Sequence, residues 1–217
     1  MKDFVLTLYL VTDSTGHDLS SFLQTIEEAC RGGVTLVQLR EKSSGGREYL
    51  ERAIAVKEIT DRYHIPLMID DRIDVAIACG AAGVHVGQSD LPVSCARALL
   101  GPDKIVGATA KTPAQALEAF EQGADYLGVG AIFPTTTKVA TMLTPVTTLT
   151  EIRKAVPLPI VAIGGLNRDN MDVLKGSPAD GIAVVSAIMQ SKNPRETAGE
   201  LYEHMNTLKI PMKSNKG

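Results

Sequence analysis

Three carboxylates and three cations are spaced along this chain so that one ligand could use them all. Asp70 and Asp71 close the apolar run IPLMIDD, and Asp90 closes the run AGVHVGQSD. Two or three carboxylates at neighbouring strand ends suit a hard cation such as Mg2+, which takes one or two protein oxygens and fills its shell with water and substrate phosphate. Arg40 and Lys42 end the stretch LVQLREK, and Lys138 ends FPTTTK. Arg40 can fork onto phosphate oxygens, while the two lysines act as mobile point charges. A magnesium diphosphate would bring both signs of charge together. The plainer readings are a network of surface ion pairs, a pairing of Asp71 with Arg72 or Arg40, and a helix-capping role for Asp90 ahead of Leu91-Pro92.

Neutral groups extend the pattern. Thr135 and Thr137 offer hydroxyls next to Lys138, able to hold an amino group or a phosphate. Gly165 in IGGLN, with Val185 and Ser186 in VSAI, ends the last two apolar runs, where backbone N–H groups can cradle phosphate. Gln38 could give a heterocycle paired hydrogen bonds, or satisfy itself inside the fold. His85 sits mid-run in GVHVGQ and reads as a hydrogen-bonded core histidine. There is no Ser/His/Asp arrangement, no histidine metal cluster, no Walker loop and no Gly-x-Gly-x-x-Gly.

The elements that must position these groups are eight short aliphatic runs, from LTLYLVTD to GIAVVSAI, each ending in polar or glycine-rich residues. Near-continuous hydrophobicity marks strands buried on both faces of a parallel sheet. Alternation along the second run puts Gln38, Arg40 and Lys42 on one face and Val37, Leu39 and Glu41 on the other. Helix-like segments separate the runs. DLSSFLQTIEEACRGG spaces Leu23, Ile26 and Cys30 on one face, with Gly32 as its closing residue. TPAQALEAFEQG opens on a Thr112 cap and Pro113 and stops at Gly123. NPRETAGELYEHM pairs Asn193 with Glu196 in a capping-box pattern. Eight strand–helix alternations without a linker predict an α/β chain folded as a single-domain (β/α)8 TIM barrel over residues 1–209, with residues 210–217 a disordered polar tail. A doubly wound open sheet is the alternative. In a barrel the site lies at the C-terminal strand ends, where the polar groups above are found.

Composition narrows the partners. The chain has 217 residues, 44% hydrophobic and 22% charged, with a formal net charge of −3. That balance gives no reason to expect nucleic acid or an anionic membrane as partner, and it points to small-molecule substrates. No apolar run approaches the ~20 residues of a membrane span. Cys30, Cys79 and Cys95 lie in helix-like segments without Cys-x-x-Cys spacing, so buried reduced thiols and a cytoplasmic location are expected. A homo-oligomer is compatible with everything in the sequence.

Taken together, QLREK, DDRIDVA, GVHVGQSDL, GADYLGVGAIFPTTTK, PIVAIGG and GIAVVSAI resemble the thiamine phosphate synthase family, in order, from about Tyr9 to Ile188. The resemblance implies a (β/α)8 barrel and a magnesium-dependent transferase. Its reaction moves the 4-amino-2-methyl-5-pyrimidinylmethyl group from its diphosphate to the nitrogen of a thiazole phosphate. It also implies roles. Asp71 and Asp90 match the metal ligands, and Arg40, Lys42 and Lys138 match the diphosphate-binding cations. Gln38 and Thr109 match positions near the pyrimidine. Thr135, Thr137, Gly165, Val185 and Ser186 match the thiazole phosphate site. Three departures stand out. Asp70 replaces the family's usual asparagine, so it is expected to bind or orient magnesium rather than donate to the diphosphate. Thr109 and Lys111 stand where the family often carries serine and histidine, and KVATMLTPV departs from the usual sequence after the lysine. A thiazole tautomerase on the same barrel and a noncatalytic phosphate-ligand binding protein are the competing readings. Lys111 in place of histidine argues against the first, and the intact charged residues argue against the second.

Overall fold

The computed structural model describes residues 4–135 and 142–209. Eight parallel strands close into a barrel in sequence order: β1 (Leu8–Val11), β2 (Leu36–Leu39), β3 (Leu67–Asp70), β4 (Gly83–Val86), β5 (Ile105–Thr109), β6 (Tyr126–Gly130), β7 (Ile160–Ile163) and β8 (Gly181–Val184). Each begins inside one of the eight apolar runs. β8 pairs with β1 through Leu8–Ile182 and Leu10–Val184, which completes the circle and leaves no edge.

The strands divide their side chains as a period of two demands. Leu36 and Gln38 of β2 point into the barrel, while Val37 and Leu39 pack outward against helices. Tyr9, Leu36, Met68, Ile105, Tyr126, Val161 and Ala183 fill the interior. The layer between strands and helices is a second, larger core that takes in Leu10, Ile69, Val84, Leu127 and Ile182. Two tyrosines in the inner core need space, and glycine supplies it. A Cβ on Gly107 would lie 2.2 Å from the Tyr126 ring, and one on Gly128 would lie 3.1 Å from the His85 ring.

The helices are α1 (Leu19–Arg31), α2 (Gly46–Arg62), α3 (Ile73–Cys79), α4 (Val93–Leu100), α5 (Pro113–Glu121), α6 (Thr147–Ala155), α7 (Ser186–Met189) and α8 (Pro194–Leu208). Thr112 caps α5 as expected, its hydroxyl accepting from the Gln115 amide at 3.2 Å. Other local expectations are corrected. Gly32 stays right-handed at the end of α1, and Gly33, at φ +109°, takes the reversal. Asn193 does not cap a backbone amide. Its side-chain nitrogen donates to Glu196 instead, at 3.2 Å. Between β7 and β8 the connection is a 3-10 turn, Met171–Leu174, rather than an α-helix. Of the cysteines only Cys30 is buried, whereas Cys79 at the end of α3 is half-buried and Cys95 on α4 is exposed. Thr137, Lys138 and the expected tail at 210–217 lie outside the described residues. Among the described residues no helix is long and apolar enough to cross a membrane.

Candidate active site

The polar strand ends converge. Gln38, Arg40, Asp70, Thr109, Thr135, Gly165, Val185 and Ser186 all line one pocket of about 170 Å³ at the C-terminal mouth of the barrel. Its apolar wall comes from Val11, Val161, Ile163, Leu166 and Val184. The volume is below the ~300–1,000 Å³ that encloses a drug-sized ligand. It suits a single ring, with charged groups of the ligand left at the mouth. A larger open groove, about 950 Å³, runs between α1 and the start of α8, lined by residues such as Gln24, Glu28, Arg31 and Arg195. It contains none of the candidate site residues named above, and its walls are mostly polar helix and loop side chains. The candidate site residues among those described gather at the smaller pocket.

The remaining charged groups cluster beside it. Asp70 Oδ2 is 2.7 Å from Lys42 Nζ and 3.7 Å from Arg40 Nε. Lys42 also bonds Asp71. The two carboxylates reach one ammonium because the chain turns sharply at Asp71. Its φ is +58°, and the Arg72 amide donates back to Asp70 O at 2.7 Å across it. A non-glycine residue held in this γ-turn geometry costs about 1 kcal/mol or more. The turn is tied to the next strand by the Asp71 amide, which donates to His85 O at 2.9 Å. Arg72 pairs with Asp74 rather than with Asp71.

Asp90 does not cap α4, whose first turn follows Pro92. Its carboxylate folds back onto its own loop and accepts from the Gly87 amide at 2.6 Å. Burial, and then the neighbouring Asp71 carboxylate, push the Asp90 carboxyl above its ordinary range. Burial works against the Lys42 charge, but the hydrogen bonds to Asp70 and Asp71 win and hold its ammonium above its usual range. Paired acids that repel each other beside a shared cation form a place where a divalent ion would be welcome. Among the described residues no three His, Cys, Asp or Glu side chains form a metal cage. A site with two protein carboxylates, completed by substrate oxygens, is the form that fits.

Glu41 lies on the opposite face of its strand from Arg40, as the alternation requires. Its buried carboxylate accepts from Ser14 at 3.0 Å, Ser44 at 3.2 Å and Arg52 at 3.2 Å. It thereby ties the loops after β1 and β2 behind the charged cluster. Near the last strands, Gly165 takes φ +64°, and a Cβ there would sit 2.5 Å from Pro134 O. Only glycine lets that loop press against the segment carrying Thr135.

The pocket also holds residues to which the sequence assigned no role in the site. Tyr9, His85 and Lys111 line it, and Tyr126 lies beneath. Gln38 Nε2 donates to Tyr9 Oη at 2.7 Å, and the Tyr9 and Tyr126 hydroxyls are 2.9 Å apart. Tyr126 Oη lies 3.0 Å from His85 Nδ1, and His85 Nε2 lies 3.0 Å from Thr109 Oγ1. Tyrosine hydroxyls inside apolar strands were the signal available for this chain, because each needs a buried partner.

Comparison with known proteins agrees with this geometry. The family described as thiamine monophosphate synthase matches residues 8–188. The chain is 54% identical over 193 residues to thiamine-phosphate synthase 2 of Streptococcus pneumoniae, covering 89% of this chain and 92% of that one. It is 50% identical to the thiamine-phosphate synthase of Clostridium tetani, covering 94% and 98%. A solved thiamine phosphate pyrophosphorylase from Pyrococcus furiosus superimposes with a TM-score of 0.84 at 36% identity, over 94% of this chain and 96% of that one. The chain belongs to the thiamine monophosphate synthase family.

Proposed function

We propose that the chain is a thiamine-phosphate synthase. It breaks the carbon–oxygen bond of a pyrimidinylmethyl diphosphate and joins that carbon to the ring nitrogen of a thiazole phosphate, plain or carboxylated. Thiamine phosphate and pyrophosphate are the products. The observation that carries this reading is the charged cluster of Arg40, Lys42, Asp71 and Asp90 at the mouth of a ring-sized pocket floored by Gln38.

No nucleophilic side chain is needed, because the thiazole nitrogen attacks. Gln38 and Thr109 orient the pyrimidine, whose amino group feeds charge to the exocyclic carbon as the diphosphate departs. Arg40 and Lys42, with Lys138, neutralise the leaving group. Asp71 and Asp90 would hold Mg2+, which supplies further positive charge to the diphosphate oxygens. Asp70 orients Lys42 and Arg40 and, through them, the metal site. Thr135, Thr137 and the backbone of Gly165, Val185 and Ser186 hold the thiazole phosphate, fixing the distance between the reacting atoms. The free thiols suit a reducing compartment, and we place the enzyme in the cytoplasm.

The test is direct. Purified protein is mixed with the pyrimidine diphosphate and the thiazole phosphate, with and without Mg2+, and thiamine phosphate is sought by mass. Product only with magnesium supports the reading. No product under either condition overturns it.

A further inference from the structure

We propose that Gln38, Tyr9, Tyr126, His85 and Thr109 form a one-way hydrogen-bond relay beneath the pocket, in which the orientation of the Gln38 amide fixes the tautomer of His85. Tyr9 and Tyr126 are then positioning residues, acting through the groups at the two ends.

Counting hydrogens leads to this. The links are 2.7, 2.9, 3.0 and 3.0 Å, all within hydrogen-bonding range. Both tyrosines are at most 1% exposed, so water cannot take an unspent hydroxyl hydrogen. The Gln38 amide nitrogen can only donate, so Tyr9 Oη accepts from it. Tyr9 must then give its own hydrogen to Tyr126, and Tyr126 must give its hydrogen to His85 Nδ1. The imidazole is left with its hydrogen on Nε2, which donates to Thr109 Oγ1. The Thr109 hydroxyl hydrogen is thereby turned toward the pocket. Reversing a single link breaks the chain: at either contact of Tyr126 it leaves a buried hydroxyl hydrogen without an acceptor, at Gln38 it sets two acceptors face to face, and at Thr109 two donors, each at a cost typical of an unmade buried hydrogen bond. Reversal is possible only for the whole chain at once, with the amide turned over and the imidazole hydrogen moved to Nδ1.

Packing holds the relay rigid. Tyr9 and Tyr126 meet edge-on, with centroids 6.0 Å apart, and the His85 ring lies 5.6 Å from Tyr126. Burial pushes both phenols above their ordinary range, so neither gives up its hydrogen. The functional content is a linked pair of recognition groups. In the observed sense, the β2 side of the pocket offers the Gln38 carbonyl as an acceptor, and the β5 side offers the Thr109 hydroxyl as a donor. Those two groups match a ring that carries an amino donor on one edge and a ring-nitrogen acceptor on another. This last step rests on the synthase reading, whereas the relay itself does not.

The first experiment uses the full chain with 15N-labelled histidine and no substrate, so its outcome, unlike the KM reading that follows, is independent of catalysis. The His85 signals are assigned by their loss in His85→Gln. The expected wild-type pattern is a hydrogen on Nε2 and a hydrogen-bonded, unprotonated Nδ1. Tyr126→Phe removes the donor to Nδ1, and the His85 nitrogen shifts should move toward a mixture of tautomers. With Tyr9→Phe, KM for the pyrimidine diphosphate should rise about tenfold, the size expected for one lost hydrogen bond, with KM for the thiazole phosphate unchanged. A hydrogen on Nδ1 in the wild type overturns the proposal without any variant. His85 shifts that are unchanged in a folded Tyr126→Phe protein would also overturn it, because a purely packing role predicts that result.

Discussion

Replacing Asp90 with asparagine should make the metal-free protein more stable and the enzyme nearly inactive. The amide keeps an oxygen where Asp90 accepts from the Gly87 amide at 2.6 Å, so the loop holds its shape. What disappears is a negative charge lodged beside Asp71 in a partly buried site. At this exposure a like-charge contact is worth about 0.5–1 kcal/mol. In a chain of this length that raises Tm by roughly 1–4 °C. The sign with pH follows from the raised folded-state pKa of Asp90. Its contribution to stability is fully present below the unfolded carboxylate value, about 3.9, and is lost as pH rises through the higher folded value. The gain from Asp90→Asn is therefore largest at neutral pH and vanishes in acid. Magnesium reverses the comparison. At a hundred times its Kd, an ion stabilises the folded state by about 2.7 kcal/mol, and this increment should be seen only in the wild type. Turnover should fall by at least about a hundredfold with the metal site. Thermal melts with chelator and with Mg2+, at neutral and acid pH, measure the stability changes, and a turnover assay measures the last. A variant that melts lower than wild type in chelator at neutral pH would refute the argument, as would one that keeps its magnesium-dependent rise.

Asp70→Asn removes the carboxylate that Lys42 and Arg40 share, so the Mg2+ concentration for half-maximal turnover should shift by about tenfold. Unchanged magnesium dependence and unchanged pyrophosphate affinity would take Asp70 out of the site. Gly107→Ala drives a methyl into the Tyr126 ring and should cost about 1–3 kcal/mol in a denaturant melt, with weakened pyrimidine binding. A neutral result would mean that the interior is looser than its packing indicates. Thr112→Ala deletes the cap on α5 and should cost about 1 kcal/mol while leaving kcat untouched, since the cap lies outside the pocket.

The barrel was legible because its signal is local and repeated. Eight aliphatic runs, each long enough for a strand buried on both faces, and eight polar ends left few other arrangements. The alternation of Gln38, Val37, Leu39 and Arg40 told inside from outside, since a strand has a period of two whatever surrounds it. The Thr112 cap was equally legible, because Thr-Pro at a helix start needs only its own next turn. Errors came where neighbours compete. Glu196 captures the Asn193 side chain that a capping box would spend on the backbone. Asp90 finds the Gly87 amide nearer than a helix end. The first helix of the chain reverses at Gly33, and Gly32 before it lies so close to the last helix that a Cβ there would sit 2.3 Å from the Arg195 carbonyl oxygen.

What only the tertiary structure decided is who shares whose hydrogens and charges. Tyr9 and Tyr126 are 117 positions apart, and nothing near either names the other as its partner. The sequence placed Asp70, Asp71 and Lys42 at strand ends, but the turn at Asp71 decided that both carboxylates meet one ammonium. Local pattern sets which face a side chain takes, because backbone geometry alone imposes it. Pairing across the barrel depends on the register of eight closed strands, and that is a property of the whole ring.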